Sequence, residues 1–259
     1  MPLLNKLRQY FSPTRLPESE PAAAYDIWAL QYDNQPDNLM LALDEQVFAD
    51  LLAQTPAPAA PDDKGGASPT GEVIADIGCG TGRHWPKLYE RRPSRLIGFD
   101  VSQGMLDILL QKHPQADTRL LTDARLALPS ASCDMVISTL TVAHIPDIEA
   151  AFTEWKRVLK PGGRLIITDY HPEALARGGQ RTFRDDHRVI AIRNHVYPLY
   201  EIKEITRRLG LETQQVIERS IDGSMRPYYE KQNATALFER FLGVPIIYGL
   251  QLKRSDVAH

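Results

Sequence analysis

The chain has 259 residues, 43% hydrophobic and 24% charged, so it can bury the core of one large α/β domain or of two small ones. Its net charge of −3 gives no electrostatic reason to expect a nucleic acid as partner. No apolar run approaches the roughly 20 residues of a membrane span, and the two cysteines lie in apolar contexts, so we expect a cytoplasmic protein without a disulfide scaffold or a metal site.

The N-terminal part of the chain divides into a helical piece and a linker. Between Tyr25 and Leu52, apolar residues recur at three- and four-residue steps, as along the buried face of a helix. Residues 55–71 are rich in proline, glycine and small polar residues that cannot support a core, which predicts a flexible linker. We therefore predict an N-terminal arm and helical unit over residues 1–54 and the main domain over residues 72–259.

Predicted strands and helices alternate along the main domain with little chain between them. The predicted strands are 72–77, 95–99, 118–121, 134–139, 164–168, 211–220 and 244–252. The predicted helices are 82–91, 103–112, 148–158, 199–209 and 235–242. This alternation predicts an α/β domain with a doubly wound parallel sheet and helices on both faces. A polar, arginine-rich segment at about 171–197 suits an inserted cap.

The turn after the first of these strands is rich in glycine. The run Asp76-Ile-Gly-Cys-Gly-Thr-Gly82 places three alternating glycines between an apolar strand and a helix. Glycine accepts positive φ angles and lets a ligand approach the backbone, and the free N–H groups of a helix N-terminus suit a polar or anionic ligand. A nicotinamide or flavin site would need a glycine where Arg83 stands, so the spacing disfavours dinucleotide cofactors.

Acidic residues end the next two predicted strands. Asp100 closes the second strand, where a carboxylate can accept both hydroxyls of a ribose, although it could also be a plain surface acid. Asp123 closes the third, where it could contact an adenine edge or simply cap a turn. The fourth strand runs into a turn that leads to His144, and a Lys160-Pro-Gly-Gly turn precedes the fifth.

Together these features resemble the class I S-adenosylmethionine-dependent methyltransferases, in particular the small-molecule group that includes quinone-biosynthesis enzymes. The resemblance covers about residues 25–170. It implies a Rossmann-like, doubly wound, mostly parallel seven-stranded sheet with an antiparallel last strand and an N-terminal helical lid. It also implies an enzyme that takes S-adenosylmethionine as cofactor, releases S-adenosylhomocysteine, and methylates a small molecule, with oxygen or nitrogen as the favoured acceptor atom.

The resemblance also assigns residues to the cofactor, on the positions that match the family's motifs. They are Tyr32, Asp76, Gly78, Gly80, Gly82, Asp100, Asp123, Ala124 and Thr139. The glycine turn would hold the methionine end, Asp100 the ribose, and Asp123 with Ala124 the adenine. Thr139 would face the amino group. Tyr32, or alternatively Tyr25 at the start of the same Tyr-Asp-x-x-Ala-x-x-Tyr-Asp motif, would reach the carboxylate.

Two histidines are candidates for a catalytic proton acceptor. His171 follows the fifth predicted strand directly, where the transferred methyl group should be approached, and His144 follows the fourth. Each has a structural alternative: His171 could cap a turn, and His144 could pack beneath the cofactor.

The choice of acceptor is left open by the sequence. The arginines of the cap either form a solvated face or bind an anionic substrate such as a carboxylate or phosphate; they are Arg177, Arg181, Arg184, Arg188 and Arg193. Methylation of protein or RNA is disfavoured by the acidic net charge and, for base-amino chemistry, by Ser138-Thr-Leu-Thr141 where Asn/Asp-Pro-Pro-aromatic would stand. A regulatory protein without catalysis would keep the same cofactor residues. We expect a small-molecule partner that could be anionic, no nucleic acid partner, and a monomer or homodimer.

Overall fold

The computed structural model describes residues 16–35, 37–55, 71–185, 188–231 and 233–256. Its strands are β1 (Glu18–Ser19), β2 (Val73–Ile77), β3 (Arg95–Asp100), β4 (Asp117–Leu120), β5 (Cys133–Thr139), β6 (Leu159–Tyr170), β7 (Thr182–Asp185), β8 (Arg188–Ile192), β9 (Leu211–Ser220) and β10 (Pro245–Arg254). Its α-helices are α1 (Pro21–Tyr32), α2 (Leu39–Ala53), α3 (Trp85–Glu90), α4 (Gln103–Lys112), α5 (Ile148–Val158), α6 (Pro172–Ala176), α7 (Leu199–Arg208), α8 (Arg226–Glu230) and α9 (Thr235–Phe241).

A seven-stranded sheet in the order β4-β3-β2-β5-β6-β10-β9 organises the described chain. Strands β2 to β6 pair in parallel, and β10 runs antiparallel to both β6 and β9. This arrangement confirms the predicted Rossmann-like, mostly parallel sheet with an antiparallel last strand. The strand order reverses between β2 and β5, and in such sheets ligands bind at the carboxyl ends of the strands beside that reversal.

Helices cover both faces of the sheet because each has one apolar side. Phe152 and Trp155 of α5 are buried on one face, and Trp85 and Leu88 of α3 are buried on the other. Each fully buried side chain of this size contributes about 1.5–3 kcal/mol relative to an exposed one. No helix among the described residues is both long and apolar enough to cross a bilayer.

The helical piece before the linker forms two helices with different surroundings. Asn38 starts α2, since its side chain accepts a hydrogen bond from Leu41 N. Helix α2 then packs into the core beside β10, where a Cβ added at Gly249 would lie 2.8 Å from Leu51. Helix α1 lies apart from this core. The predicted linker falls almost entirely on residues 56–70, which lie outside the described residues.

Helix α1 shares a third, smaller core with the segment predicted as a cap. Strands β1, β8 and β7 form a three-stranded sheet, and Trp28 of α1 stacks on Phe183 of β7 with ring centroids 4.7 Å apart. Ala24 and Ile192 complete this core. Two segments distant in sequence are therefore joined by apolar packing. The division into an N-terminal unit, a linker and a main domain that the sequence predicts stays a proposal.

Candidate active site

A cavity of about 510 Å³ lies at the carboxyl ends of β2, β3 and β5. Eight of the residues that the sequence predicts for the site line it: Tyr32, Gly78, Gly80, Asp100, Asp123, Ala124, Thr139 and His144. Three others, Asp76, Gly82 and His171, are not among its lining residues in the described part of the chain. The cavity thus brings the strand-end residues together at the strand reversal.

The glycine turn forms one wall of the cavity. Gly78, Gly80 and Gly82 have φ angles of 72°, 53° and 74°, which favour glycine. A Cβ at Gly78 would lie 2.6 Å from Cγ2 of Thr141, so this glycine lets two turns pack together. A Cβ at Gly80 would meet no protein atom within 4 Å and would project into open space. Gly80 therefore leaves room for a ligand against the backbone.

The remaining two residues of the predicted glycine motif support the turn from beneath. Asp76 is buried, and its carboxylate accepts a hydrogen bond of 2.9 Å from the indole Nε1 of Trp85. Burial raises the pKa of Asp76 to about 6. A Cβ at Gly82 would lie 3.1 Å from Leu109. The side chain of Asp76 therefore anchors the start of α3 and is not among the described residues that line the cavity, and its predicted role toward the cofactor stays a prediction.

Asp100 is the acid that reaches the cavity. Its Oδ2 accepts a hydrogen bond of 2.8 Å from Gly80 N and its Oδ1 one of 2.9 Å from Ser102 N. The side chain is nearly buried, and burial raises the pKa of Asp100 to about 6. A carboxylate oxygen accepts more than one hydrogen bond, so these contacts leave capacity for the two hydroxyls of a ribose.

We expect the affinity for S-adenosylhomocysteine to fall as the pH drops below 6. The hydroxyls of the ligand's ribose favour the ionised form of Asp100. In the free protein the Asp100 carboxyl takes up a proton near pH 6, so ligand binding below that pH must release this proton. Loss of one proton on binding weakens affinity by about tenfold per pH unit below the pKa of the free protein. Calorimetric titration from about pH 5 to about pH 8, roughly one unit below and two units above that pKa, measures the change in affinity.

The matched variant for this titration is Asp100→Asn, which removes the titrating group. Its affinity should be weaker throughout and flat with pH. Asp76 titrates in the same range but does not line the cavity, so a pH dependence that survives in Asp100→Asn would assign the effect to Asp76.

The far end of the cavity suits an aromatic base. Asp123 and Ala124 line it together with the apolar side chains of Leu126 and Trp155. The Oδ1 of Asp123 also accepts a hydrogen bond of 2.8 Å from Arg125 N. Asp123 therefore caps its own turn and faces the cavity at once, so the two roles predicted for it are compatible.

Helix α1 crosses the cavity and is tied to the main domain by two aspartates that the sequence reasoning did not single out. Asp26 accepts hydrogen bonds from Ser102 Oγ at 2.6 Å and Gly104 N at 2.9 Å. Asp33 accepts one of 2.7 Å from Thr81 Oγ1, inside the glycine turn. Tyr32 lines the cavity between them, and burial raises the pKa of its phenol, which stays a neutral hydrogen-bond donor.

His144 lines the cavity but has no free nitrogen. Its Nδ1 donates to the carbonyl of Arg193 at 2.8 Å, so its Nε2 is the acceptor, facing the hydroxyl of Tyr25 at 2.9 Å and the guanidinium of Arg181. Burial, reinforced by the charge of Arg181, holds the pKa of His144 well below its usual range. His144 is therefore a neutral acceptor whose lone pair is already engaged.

His171 occupies a structural position. Its Nδ1 accepts a hydrogen bond of 3.2 Å from Glu173 N at the start of α6, and its Nε2 lies 4.0 Å from Glu218. The imidazole therefore caps a helix, which is the alternative role considered for it, and the structure does not bring it to the cavity.

Arg181 is one of the cap arginines for which the sequence left a solvated face and anion binding as alternatives. It is 3% exposed. Its Nη2 donates to Asp169 Oδ1 at 2.7 Å, and its Nη1 donates to the hydroxyl of Tyr25 at 3.1 Å and to the carbonyl of Leu140. By contrast Arg177, Arg188 and Arg193 form exposed pairs with acids. The predicted cluster is thus one buried cation and several surface ones.

Comparisons with known proteins agree with this geometry. The model of the methyltransferase domain family matches residues 75–167. A malonyl-[acyl-carrier protein] O-methyltransferase of Serratia marcescens is 30% identical over 140 residues, which are 54% of this chain and 52% of that protein. A mouse tRNA (carboxymethyluridine(34)-5-O)-methyltransferase is 40% identical over 106 residues, 39% of this chain and 15% of that protein. The chain spans about half the length, or less, of the first curated relatives that it matches.

A solved structure shows the same fold. An S-adenosylmethionine-dependent methyltransferase of Mesorhizobium loti superposes with a TM-score of 0.58 at 20% identity, covering 80% of this chain and 97% of that one. Fold, family match and relatives agree on one class: residues 75–167 match a methyltransferase domain, and the chain is similar to the class I S-adenosylmethionine-dependent methyltransferases.

The cofactor of this class is S-adenosylmethionine, as predicted, and the residues present fit it. Gly80 leaves a space that a Cβ would fill, and Asp100 presents a carboxylate at the place of a ribose. The narrower placement among quinone-biosynthesis enzymes stays a prediction, as do the cytoplasmic location and the oligomeric state.

Proposed function

We propose that this chain transfers a methyl group from S-adenosylmethionine to a carboxylate oxygen of a small acceptor. The observation that carries the proposal is the state of the acceptor end of the cavity. A neutral tyrosine, Tyr25, lines it with the buried Arg181 behind it, and the only histidine of the described lining has both ring nitrogens engaged. Such a site favours an acceptor that arrives already ionised.

The cofactor residues have separate tasks in this proposal. The backbone at Gly78 and Gly80 lets the methionine portion approach closely, the phenol of Tyr32 is placed to donate to its carboxylate, and Asp100 is placed to accept from the ribose. When bound, S-adenosylmethionine supplies a methyl group on a positively charged sulfur. The protein then has to align an acceptor oxygen in line with that methyl group and exclude water.

The acceptor end offers no histidine or phenol that is free to accept a proton among the described lining residues. The lone pair of His144 faces two donors, and burial raises the pKa of the Tyr25 phenol. Two lining carboxylates are partly engaged: Glu20 pairs with Arg193, and Asp147 accepts a hydrogen bond from Ala150 N at the start of α5. A phenol or amine acceptor would need a base to take its proton, whereas a carboxylate is ionised at neutral pH.

One buried cation lies behind this end of the cavity. The guanidinium of Arg181 is buried beside Tyr25 and pairs with the carboxylate of Asp169, and Arg181 itself is not among the described lining residues. The Nε of Arg181 has no hydrogen-bond partner among the described atoms. An acceptor carboxylate near Tyr25 would be attracted by this cation.

The relatives support the same acceptor chemistry. The names of two of them refer to O-methylation of a malonyl group and of a carboxymethyl group, and both of these groups end in a carboxyl. The first acceptor is attached to a carrier protein and the second to a tRNA. A carboxylate therefore connects two relatives whose acceptors otherwise differ.

An acceptor panel tests the proposal. We expect S-adenosylhomocysteine release and a base-labile methyl ester with malonyl thioesters or carboxymethyl nucleosides. Turnover should be at least about 100-fold faster than with the matched amides, because the amide has no anionic oxygen to attack. The value of kcat/KM should be flat from about pH 6.5 to 8.5, since no group of a base-free mechanism titrates there.

Controls separate the alternatives. His171→Gln should keep wild-type turnover because His171 lies outside the cavity. Turnover confined to phenol or amine acceptors would overturn the carboxylate proposal. Turnover only with carrier-bound or tRNA-bound carboxylates would place the same chemistry on a macromolecule. Binding of S-adenosylhomocysteine without turnover on any acceptor would favour a regulatory protein.

A further inference from the structure

We infer that Asp44, on helix α2, is a positioning residue for the cofactor turn. Asp44 does not line the cavity in the described part of the chain, and its side chain is completely buried. It lies in the N-terminal helical piece, in a sequence context with no recognisable motif. Its three hydrogen-bond donors come from two other parts of the fold, which meet at this one carboxylate.

The contacts of Asp44 lead directly to the glycine turn. Its Oδ2 accepts hydrogen bonds from the guanidinium of Arg83 and, at 2.8 Å, from Nε2 of His84. Its Oδ1 accepts one from the hydroxyl of Thr168 on β6. Arg83 and His84 are the two residues after the last glycine of the turn. One carboxylate therefore ties α2, the end of the turn and β6 together.

Three consecutive side chains fix the segment that follows Gly82. Arg83 and His84 bind Asp44, and Trp85 binds Asp76 at 2.9 Å. The imidazole of His84 also packs on Phe48 of α2, with ring centroids 4.1 Å apart. A turn whose three glycines are free to move would lose entropy on binding a ligand, and anchoring one end reduces that loss before the ligand arrives.

Stability alone does not account for a buried charge at this place. Taking an ion pair out of water offsets much of its attraction, and apolar residues of similar volume often stabilise a core as well or better. Several neighbours of Asp44 on α2 are apolar and buried, namely Leu43, Val47 and Phe48. An apolar side chain at position 44 could not accept hydrogen bonds from the residues at the end of the turn.

The charge of Asp44 is held at neutral pH. Burial acts to raise the pKa of the carboxyl, but Arg83 and His84 outweigh it and hold that pKa well below its usual range. Glu45, next along the helix, also pairs with Arg83, at 3.2 Å. Asp44 therefore keeps its charge at neutral pH and can accept the hydrogen bonds of the turn residues.

The inference rests on the proposed function, because it assumes that the glycine turn binds S-adenosylmethionine. The test compares Asp44→Asn with Glu72→Gln. Glu72 forms a largely buried pair with Arg91, 9% exposed on each side, at the opposite end of β2 from the turn. Both variants neutralise a buried carboxylate, and only Asp44 touches the turn residues.

We expect calorimetry with S-adenosylhomocysteine, below the unfolding temperature of both variants, to show about tenfold or greater weakening for Asp44→Asn and less than about twofold for Glu72→Gln. Hydrogen exchange of the peptide that contains Gly78 to Gly82 should accelerate only in Asp44→Asn. If Asp44→Asn does not fold, Thr168→Val, which removes one donor to Asp44, should show the same change in exchange and a smaller loss of affinity.

Equal affinities of Asp44→Asn and the wild type, or equal losses in Asp44→Asn and Glu72→Gln, would overturn the positioning role. If Asp44→Asn does not fold, unchanged hydrogen exchange and unchanged affinity in Thr168→Val would also overturn the positioning role. A wild-type protein that fails to bind S-adenosylhomocysteine would instead refute the proposed function, so the two failures are distinct.

Discussion

Gly80→Ala should give a folded protein that no longer binds S-adenosylhomocysteine. The added Cβ meets no protein atom within 4 Å, so the fold has room for it. The φ angle of 53° costs an alanine about 1–2 kcal/mol, which lowers the unfolding temperature by a few degrees. The same methyl group projects into the cavity where the cofactor must approach the backbone, so affinity should fall by about 100-fold or more.

Gly243→Ala is the matched control for this variant. Gly243 has a φ angle of 79°, and a Cβ there also meets nothing within 4 Å, but it does not line the cavity. The two variants should lose similar stability, measured by urea unfolding, and only Gly80→Ala should lose affinity, measured by calorimetry. Binding by Gly80→Ala within about threefold of wild type would show that the glycine turn is not the cofactor site.

Arg181→Met should lose both stability and methyl transfer. Removing the guanidinium leaves Asp169 buried without its cation, which costs about 3–5 kcal/mol of unfolding free energy. Loss of the buried positive charge should also slow methylation of a carboxylate acceptor by about 100-fold, because the anion is no longer held beside Tyr25. Urea unfolding and S-adenosylhomocysteine release measure the two effects on one preparation.

A second substitution separates stability from recognition. Arg181→Met combined with Asp169→Asn removes the unpaired charge and should recover part of the unfolding free energy. It should not recover turnover, because the cation is still missing. Arg177→Met is the surface control, since Arg177 is 52% exposed in its pair with Glu173 and should change stability by less than about 0.5 kcal/mol. Recovery of turnover in the double variant would leave Arg181 a purely structural role.

The order of strands and helices could be predicted from the sequence because it depends on local patterns. Apolar runs of strand length alternate with helical periodicity, and crossover connections between parallel strands have one preferred hand, so few topologies fit. Gly78, Gly80 and Asp100 could also be predicted from such local patterns. Their positions at strand ends put them at one edge of the sheet, and the structure brings them to one cavity.

Side-chain direction beyond the strand ends could not be predicted in this way. His171 and His144 each follow a strand, but His171 turns to cap α6, which starts at Pro172, while His144 is drawn into the cavity wall by Tyr25 and Arg193. No sequence pattern distinguishes these two outcomes. The partners come from helices and strands that are remote in sequence and adjacent only after folding.

The sequence by itself determined the fold class, the glycine turn and the methyl donor, because chain order and backbone conformation at glycine are local properties. Only the tertiary structure decided which charged side chains matter. Arg181 is one arginine among several in a polar segment, and it is buried beside Asp169, near the end of β6. Asp44 is one acid on a helix, and it meets the glycine turn because α2 packs against the sheet. Burial of a charge requires a partner across the fold, and that partner is set by packing.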